Sequence, residues 1–185
     1  MNNIAALLHI EDILVDIEVA NKPDLFAAIG RHMEHEHGLP QQWVGQALSR
    51  REQVGSTGLG MGFAIPHARV YELGHPQVVY LRLKEPIPFA AVDNKPIFEL
   101  IVLLVPKQAT EEHLRILADA AAMFSDRRFR ARMQQCVTPS AIKREFEAWP
   151  HPAASSEEAC DDIAHHLPTA TASSGNRASP CLSRH

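Results

Sequence analysis

The sequence predicts an α/β fold, a sheet layered by helices, and three observations carry that prediction. Strand-like apolar runs at 63–65, 78–83 and 97–105 lie among segments whose apolar residues recur at helical spacing. The last of these runs is continuous enough for a strand buried on both faces. The length of 185 residues, 45% hydrophobic and 22% charged, suits one ordinary domain with some chain to spare.

Taken in order, Leu25, Phe26, Ile29 and Met33 follow Asn21 and Pro23 at helical spacing, and Gly38 to Pro40 stops the pattern. Trp43, Val44, Ala47 and Leu48 make a second amphipathic helix that runs to about Arg51 and Glu52, where a glycine-rich loop begins. After the strands, Thr110 is placed to cap a helix with Glu111 and Glu112 in its first turn. Its expected inner face is Leu114, Leu117, Ala118 and Ala121. Asp126 and the pair Thr138-Pro139 read as two further helix starts. Composition changes near Trp149. From 150 to 185 the only large aliphatics are Ile163, Leu167 and Leu182, too few to offset ordering entropy. We therefore expect a domain over 1–149 and a disordered tail over 150–185.

Several function classes drop out on composition. No apolar run approaches the roughly 20 residues needed to span a bilayer, and the N-terminus has no basic leader, so direct membrane insertion and secretion are not expected. A cytoplasmic location is the default. Cys136, Cys160 and Cys181 are widely spaced, with no C-x-x-C pair, and suggest no disulfide framework. The formal net charge of -4 provides no basic field for a phosphate backbone, so nucleic acid is not expected as a partner.

Candidate chemistry concentrates between Arg50 and Arg69. Glycines at 55, 58, 60 and 62 free the backbone to present successive N–H groups to an anion. The Walker and dinucleotide spacings are absent, and Ser56 does not sit in a nucleophile elbow. Alone, such a loop is equally a flexible connection. The loop is followed by Ile65-Pro66-His67, read as the end of a short strand, where Pro66 stiffens the support of an imidazole. Neutral imidazole is a nucleophile toward phosphorus and can carry a phosphoryl group reversibly, with Arg51 and Arg69 nearby in sequence as positive charge. On spacing alone, a loop histidine without a task remains the simpler reading.

The segment GSTGLGMGFAIPHAR, preceded by Ser49-Arg50-Arg51-Glu52 and followed by Glu112-His113-Leu114-Arg115-Ile116-Leu117, resembles the type 2 (mannitol/fructose) enzyme IIA family of the bacterial phosphotransferase system. The stretches 86–96 and 103–106 look most like its nitrogen-regulatory branch. The resemblance implies an α/β sandwich, a mixed β-sheet flanked by helices on both faces, with the site in a shallow exposed depression. It implies that His67 is the phosphorylated histidine, charged by an HPr-like phosphohistidine carrier, that His113 is a second active-site histidine and that Arg51 is an active-site arginine. Gly58 and Gly60 would let the backbone approach the phosphoryl group, and Ser56 and Thr57 would donate to its oxygens. No cofactor and no metal is expected.

That resemblance makes the chain a phosphotransferase that works through a phosphohistidine, most simply a regulatory phosphocarrier acting on target proteins. One alternative is a sugar-specific IIA component handing phosphate to a IIB protein. Another is a non-catalytic binding module with the same fold. His32, His35 and His37 cluster near the end of the first helix. Their spacing is expected to put His32 and His35 on one face and turn His37 away, which argues for a solvated helix end rather than a metal site. His165 and His166 are read as solvated too.

Overall fold

The structure, a computed structural model, describes residues 3–108 and 111–150. The chain opens with α1 (Asn3–Leu7), β1 (Leu8–Ile17), α2 (Lys22–His37) and α3 (Gln41–Val54). It continues through β2 (Gly58–Gly60), β3 (Phe63–Ala64), β4 (His67–Val70), β5 (Gln77–Ile87) and β6 (Ile97–Pro106). Three helices close it: α4 (Glu111–Ser125), α5 (Arg127–Gln135) and α6 (Pro139–Ala148). No helix among the described residues is long and apolar enough to cross a membrane.

Local chemistry sets the helix ends. The Asn21 side chain accepts the Asp24 N–H at 2.9 Å, Pro23 occupies the first turn of α2, and Gly38 ends it at φ 67°. Asp126 caps α5 through the Arg128 N–H, and Thr138 caps α6 through the Ala141 N–H. Thr110, the expected cap of α4, and the expected tail from 151 onward lie outside the described residues.

The strands form one mixed sheet in the order β1-β5-β6-β3-β2, with β4 also on β6. β1 is parallel to β5, β5 antiparallel to β6, and both β3 and β4 run parallel to β6. Helices cover both faces, which is the α/β sandwich expected above. Leu25, Ile29, Met33, Val44 and Leu48 of α2 and α3 pack with Val79, Leu81, Val102 and Leu104 on one face. Ile4, Ile116, Met123, Phe124, Phe129 and Phe146 pack with Val78, Tyr80, Ile101 and Leu103 on the other. β6 is buried from both sides, as its unbroken apolar run requires.

Two sequence expectations need correction. α4 turns Ile116, Ala120, Met123 and Phe124 inward, whereas Leu114 is 59% exposed and Ala118 is exposed. Leu117 and Ala121 of the expected row do pack against this core, at its margin, and the aromatic cluster of α5 and α6 centres the inward face on the neighbouring row. His67 does not end a strand; it begins β4. β3 and β4 lie in succession along β6, separated by Ile65 and Pro66, and the Leu103 N–H bonds to the Pro66 carbonyl at 2.9 Å. Proline, which has no N–H to offer the ladder, sits where the edge strand breaks.

Gly62, at φ 87°, makes the turn from β2 into β3, and its carbonyl accepts the Phe98 and Glu99 N–H groups. A Cβ there would stand 2.1 Å from Phe98 Cε1. Gly62→Ala is therefore expected to destabilise the domain by about 2 kcal/mol or more, seen as a thermal midpoint lowered by about 5 °C. An unchanged midpoint would show that Phe98 swings away freely.

Candidate functional site

The edge strand presents His67 between helices from opposite faces of the sheet. α3 sends Arg51, whose Nε donates to His67 Nε2 at 3.0 Å and whose Nη1 donates to the Gly55 carbonyl at 2.9 Å. On the other side of the ring, Nδ1 lies 3.0 Å from the Ile65 carbonyl. A carbonyl only accepts, so Nδ1 carries the proton and Nε2 holds the lone pair. Both hydrogen bonds agree on one tautomer.

Burial pushes the His67 imidazole below its ordinary value of 6.5. The charges of Arg51 and His113 act in the same direction, against the hydrogen bond to Ile65 and the charge of Glu52. The ring is thus neutral at neutral pH. His113 stands in the first turn of α4, half-buried, and its Nδ1 is buried with no hydrogen-bond partner among the described residues. His67, His113 and Arg51, far apart in the chain, line one cavity of about 820 Å³. Arg50 and Arg69 add positive charge to its wall, and Trp43, Val70, Val105 and Leu117 make much of it apolar. Exposed Trp43, Tyr71 and Leu114 stand on its wall, so it lies open at the surface.

The glycine loop does different work from that expected. The Thr57 hydroxyl donates to Glu52 Oε2 at 2.6 Å and its N–H to the same oxygen at 3.0 Å. The Ser56 hydroxyl donates to the Phe89 carbonyl at 2.9 Å and accepts the Gly58 N–H. Gly58 packs so closely on Ala91 that a Cβ would lie 2.8 Å from the alanine Cβ. Gly60, at φ 88°, faces the Asp93 carboxylate, which also accepts the Met61 N–H at 2.8 Å. The hydroxyls of Ser56 and Thr57 and the N–H groups of Thr57 and Gly58 are thus bonded within the protein. A carboxylate stands beside Gly60, and the cavity wall is formed by other residues.

The loop is clamped instead. Lys22 reaches from α2 to bond Glu52 Oε1 and the Phe89 carbonyl, each at 2.7 Å, which ties α2, α3 and the 88–96 loop together around Thr57. Sequence reading missed Lys22, Glu52 and Asp93 as positioning residues. The available signal was an acidic residue directly between Arg51 and a Gly-Ser-Thr segment, a spacing that lets a carboxylate collect loop N–H groups.

The histidine cluster of α2 also differs from expectation. His35 is the one turned out, with its side chain 83% exposed, while His32 and His37 both bond to Asp12. Spacing within a helix ignores what the next element supplies, and here β1 supplies a carboxylate on which two rings converge.

The family described as "Phosphoenolpyruvate-dependent sugar phosphotransferase system, EIIA 2" matches residues 6–149. A nitrogen regulatory protein of Pseudomonas aeruginosa is 38% identical over 132 residues, 70% of this chain and 84% of that protein. The crystal structure of nitrogen regulatory protein IIA-Ntr from Neisseria meningitidis superposes with a TM-score of 0.74 at 35% identity, covering 78% of this chain and 99% of that one. The mannitol IIA structure from Escherichia coli shares the fold at a TM-score of 0.61 and 18% identity, over 74% of this chain and 96% of that one.

Proposed function

This chain belongs to the phosphotransferase system EIIA 2 family, and from that premise we propose that it is a nitrogen-regulatory phosphocarrier that takes a phosphoryl group onto Nε2 of His67. The family works in phosphoryl transfer. The observation that carries the finer reading is the pair of hydrogen bonds that fixes the Nδ1–H tautomer and leaves the Nε2 lone pair beside Arg51.

The step balances without a base. The Nε2 lone pair forms the new N–P bond while the N–P bond of a donor phosphohistidine breaks, and the donor imidazole leaves with that electron pair. Each ring keeps its own N–H. Before attack, the Arg51 N–H occupies the lone pair. As phosphorus arrives, the guanidinium has to pass from nitrogen to the phosphoryl oxygens, a short move for a side chain anchored on the Gly55 carbonyl. Forked donors beside the transferring group supply the electrostatic stabilisation that such transfers depend on.

Arg69 gives the same oxygens a further positive partner, and His113 a ring from a helix N-terminus that itself favours anions. An HPr-like carrier would be the donor, seating its own phosphohistidine against the apolar wall at Trp43, and the cytoplasm is where such a donor chain runs. Regulation follows from charge. Phosphorylation adds close to two negative charges to a cavity lined by arginine, which changes what can dock there.

The test is incubation of the full chain with phosphoenolpyruvate and the upstream carriers, followed by 31P and 15N NMR. A phosphoramidate on His67 Nε2 is the expected product, and attachment to Nδ1 would overturn the tautomer argument. Efficient onward transfer to a fructose or mannitol IIB protein would favour the sugar-transport reading over the regulatory one.

A further inference from the structure

The convergence at Asp12 has no part in phosphoryl transfer. β1 carries extra residues at this point, since Leu8 pairs with Val78 but Ile13 with Tyr80, and Asp12 lies in the irregular stretch. Its side chain is fully buried. One carboxylate oxygen, Oδ1, faces two imidazoles, with His32 Nε2 at 2.8 Å and His37 Nε2 at 2.7 Å. The other, Oδ2, is buried with no hydrogen-bond partner among the described residues. Asp12 has no lysine or arginine partner among the described ion pairs, so a buried anion is held by two rings that need not be charged.

We infer that Asp12, His32 and His37 form a binding site for one divalent transition-metal ion of borderline softness, Zn²⁺ first among them. Two imidazoles and a carboxylate suit Zn²⁺, whereas Mg²⁺ and Ca²⁺ call for oxygen ligands throughout. One ligand atom from each residue already lies within 4.8 Å of the others. Tetrahedral bonds of about 2.0 Å need donors about 3.3 Å apart, so the three must spread by about 0.5 Å. Small rotations of surface-edge rings achieve that.

At rest each Nε2–H donates to Oδ1; metal binding exchanges that proton through solvent, so that each neutral ring carries its single proton on Nδ1 and turns the Nε2 lone pair to the metal. The two side chains, 11% and 18% exposed, leave that N–H within reach of water. The cation would also answer the unpartnered Oδ2 and lie at the negative C-terminal end of α2, where His37 is the last residue. A fourth position stays open to a water ligand. Occupied, the site would tie the irregular part of β1 to the end of α2.

The test is calorimetric titration of chelator-stripped full chain with Zn²⁺, repeated with Asp12→Asn, His32→Gln, His37→Gln and the control His35→Gln. One tight site is expected in the wild type and in His35→Gln, weakened by more than about 100-fold in each of the other three, since loss of a ligand exceeds the effect of losing an outer-shell partner. A fold-independent reading comes from 15N NMR of the wild type, in which Zn²⁺ must shift Nε2 of His32 and His37 and leave His35 in place. No binding at 0.1 mM Zn²⁺, unchanged affinity in Asp12→Asn, or shifts confined to other histidines would each overturn the proposal. The phosphorylation assay reports on His67 separately, so either result stands without the other.

Discussion

His67→Ala is expected to take up no phosphate from phosphoenolpyruvate and the upstream carriers, under conditions in which the wild-type chain is labelled to near one equivalent. The other imidazole of the cavity, His113, has its Nδ1 buried, whereas the Nε2 of His67 is held beside Arg51 with its lone pair available for attack. Loss of label with an unchanged thermal midpoint confirms the assignment. Labelling of the variant at the wild-type level would move the phosphoacceptor elsewhere and end the reading. The same ring makes a prediction about pH. Because burial holds His67 below its ordinary 6.5, its NMR titration midpoint should fall below that value. The nucleophile should accordingly stay competent as pH falls from neutral to about 6.5. The linkage has a definite sign: below 6.5 the unfolded chain protonates this histidine while the folded chain resists, so its contribution to stability is lost as pH falls toward the folded value, and nothing is lost above 6.5.

Arg51→Ala is the second large effect. The variant should fold as the wild type does, since Arg51 bonds only to His67 and to the Gly55 carbonyl at the surface. The rate of phosphoryl uptake should drop by about 10²–10³-fold, the usual effect of removing one donor aimed at developing charge. Rapid-quench measurement at saturating donor reads it directly. Arg51→Lys should recover only part of the loss, because an ammonium cannot hold the Gly55 carbonyl and a phosphoryl oxygen with a planar fork. A rate within threefold of wild type in Arg51→Ala would mean that the arginine merely orients the resting ring.

Helix termini were legible because they depend on residues a few positions apart. Asn21, Gly38, Asp126 and Thr138 each act within one turn, and each was found from sequence alone. α1 and β1 were not. The stretch Leu8–Ile17 mixes apolar and acidic residues without regular alternation, since β1 is irregular and its acidic Asp12 points inward to meet two histidines. The inward row of α4 was also beyond local reasoning, because Leu114 and Ile116 are equally apolar and only the partners of the helix distinguish them. At the site, the family resemblance supplied His67, Arg51 and His113, and the fold brings the three to one cavity. The bonding of Ser56, Thr57 and Gly58 within the protein was not legible, because a donor-rich loop looks the same in sequence whether its donors face a ligand or the protein's own acceptors. Glu52, five residues from Thr57, was within reach of sequence reasoning, whereas Asp93, which accepts the Met61 N–H from 32 residues away, was not.

The partner of His67 Nδ1 is a main-chain carbonyl, where many reactive histidines have a carboxylate. An anionic orienter would make the imidazole more basic and the phosphorylated ring a poorer leaving group, trapping the cargo. A neutral carbonyl fixes the tautomer without that added charge, which on the proposed reading suits exchange in either direction. Backbone geometry also cannot be deleted by substitution of a neighbouring side chain. Reversibility is in this way written into the turn at Ile65 and Pro66, and the state of the carrier can follow the supply of its donor upward or downward.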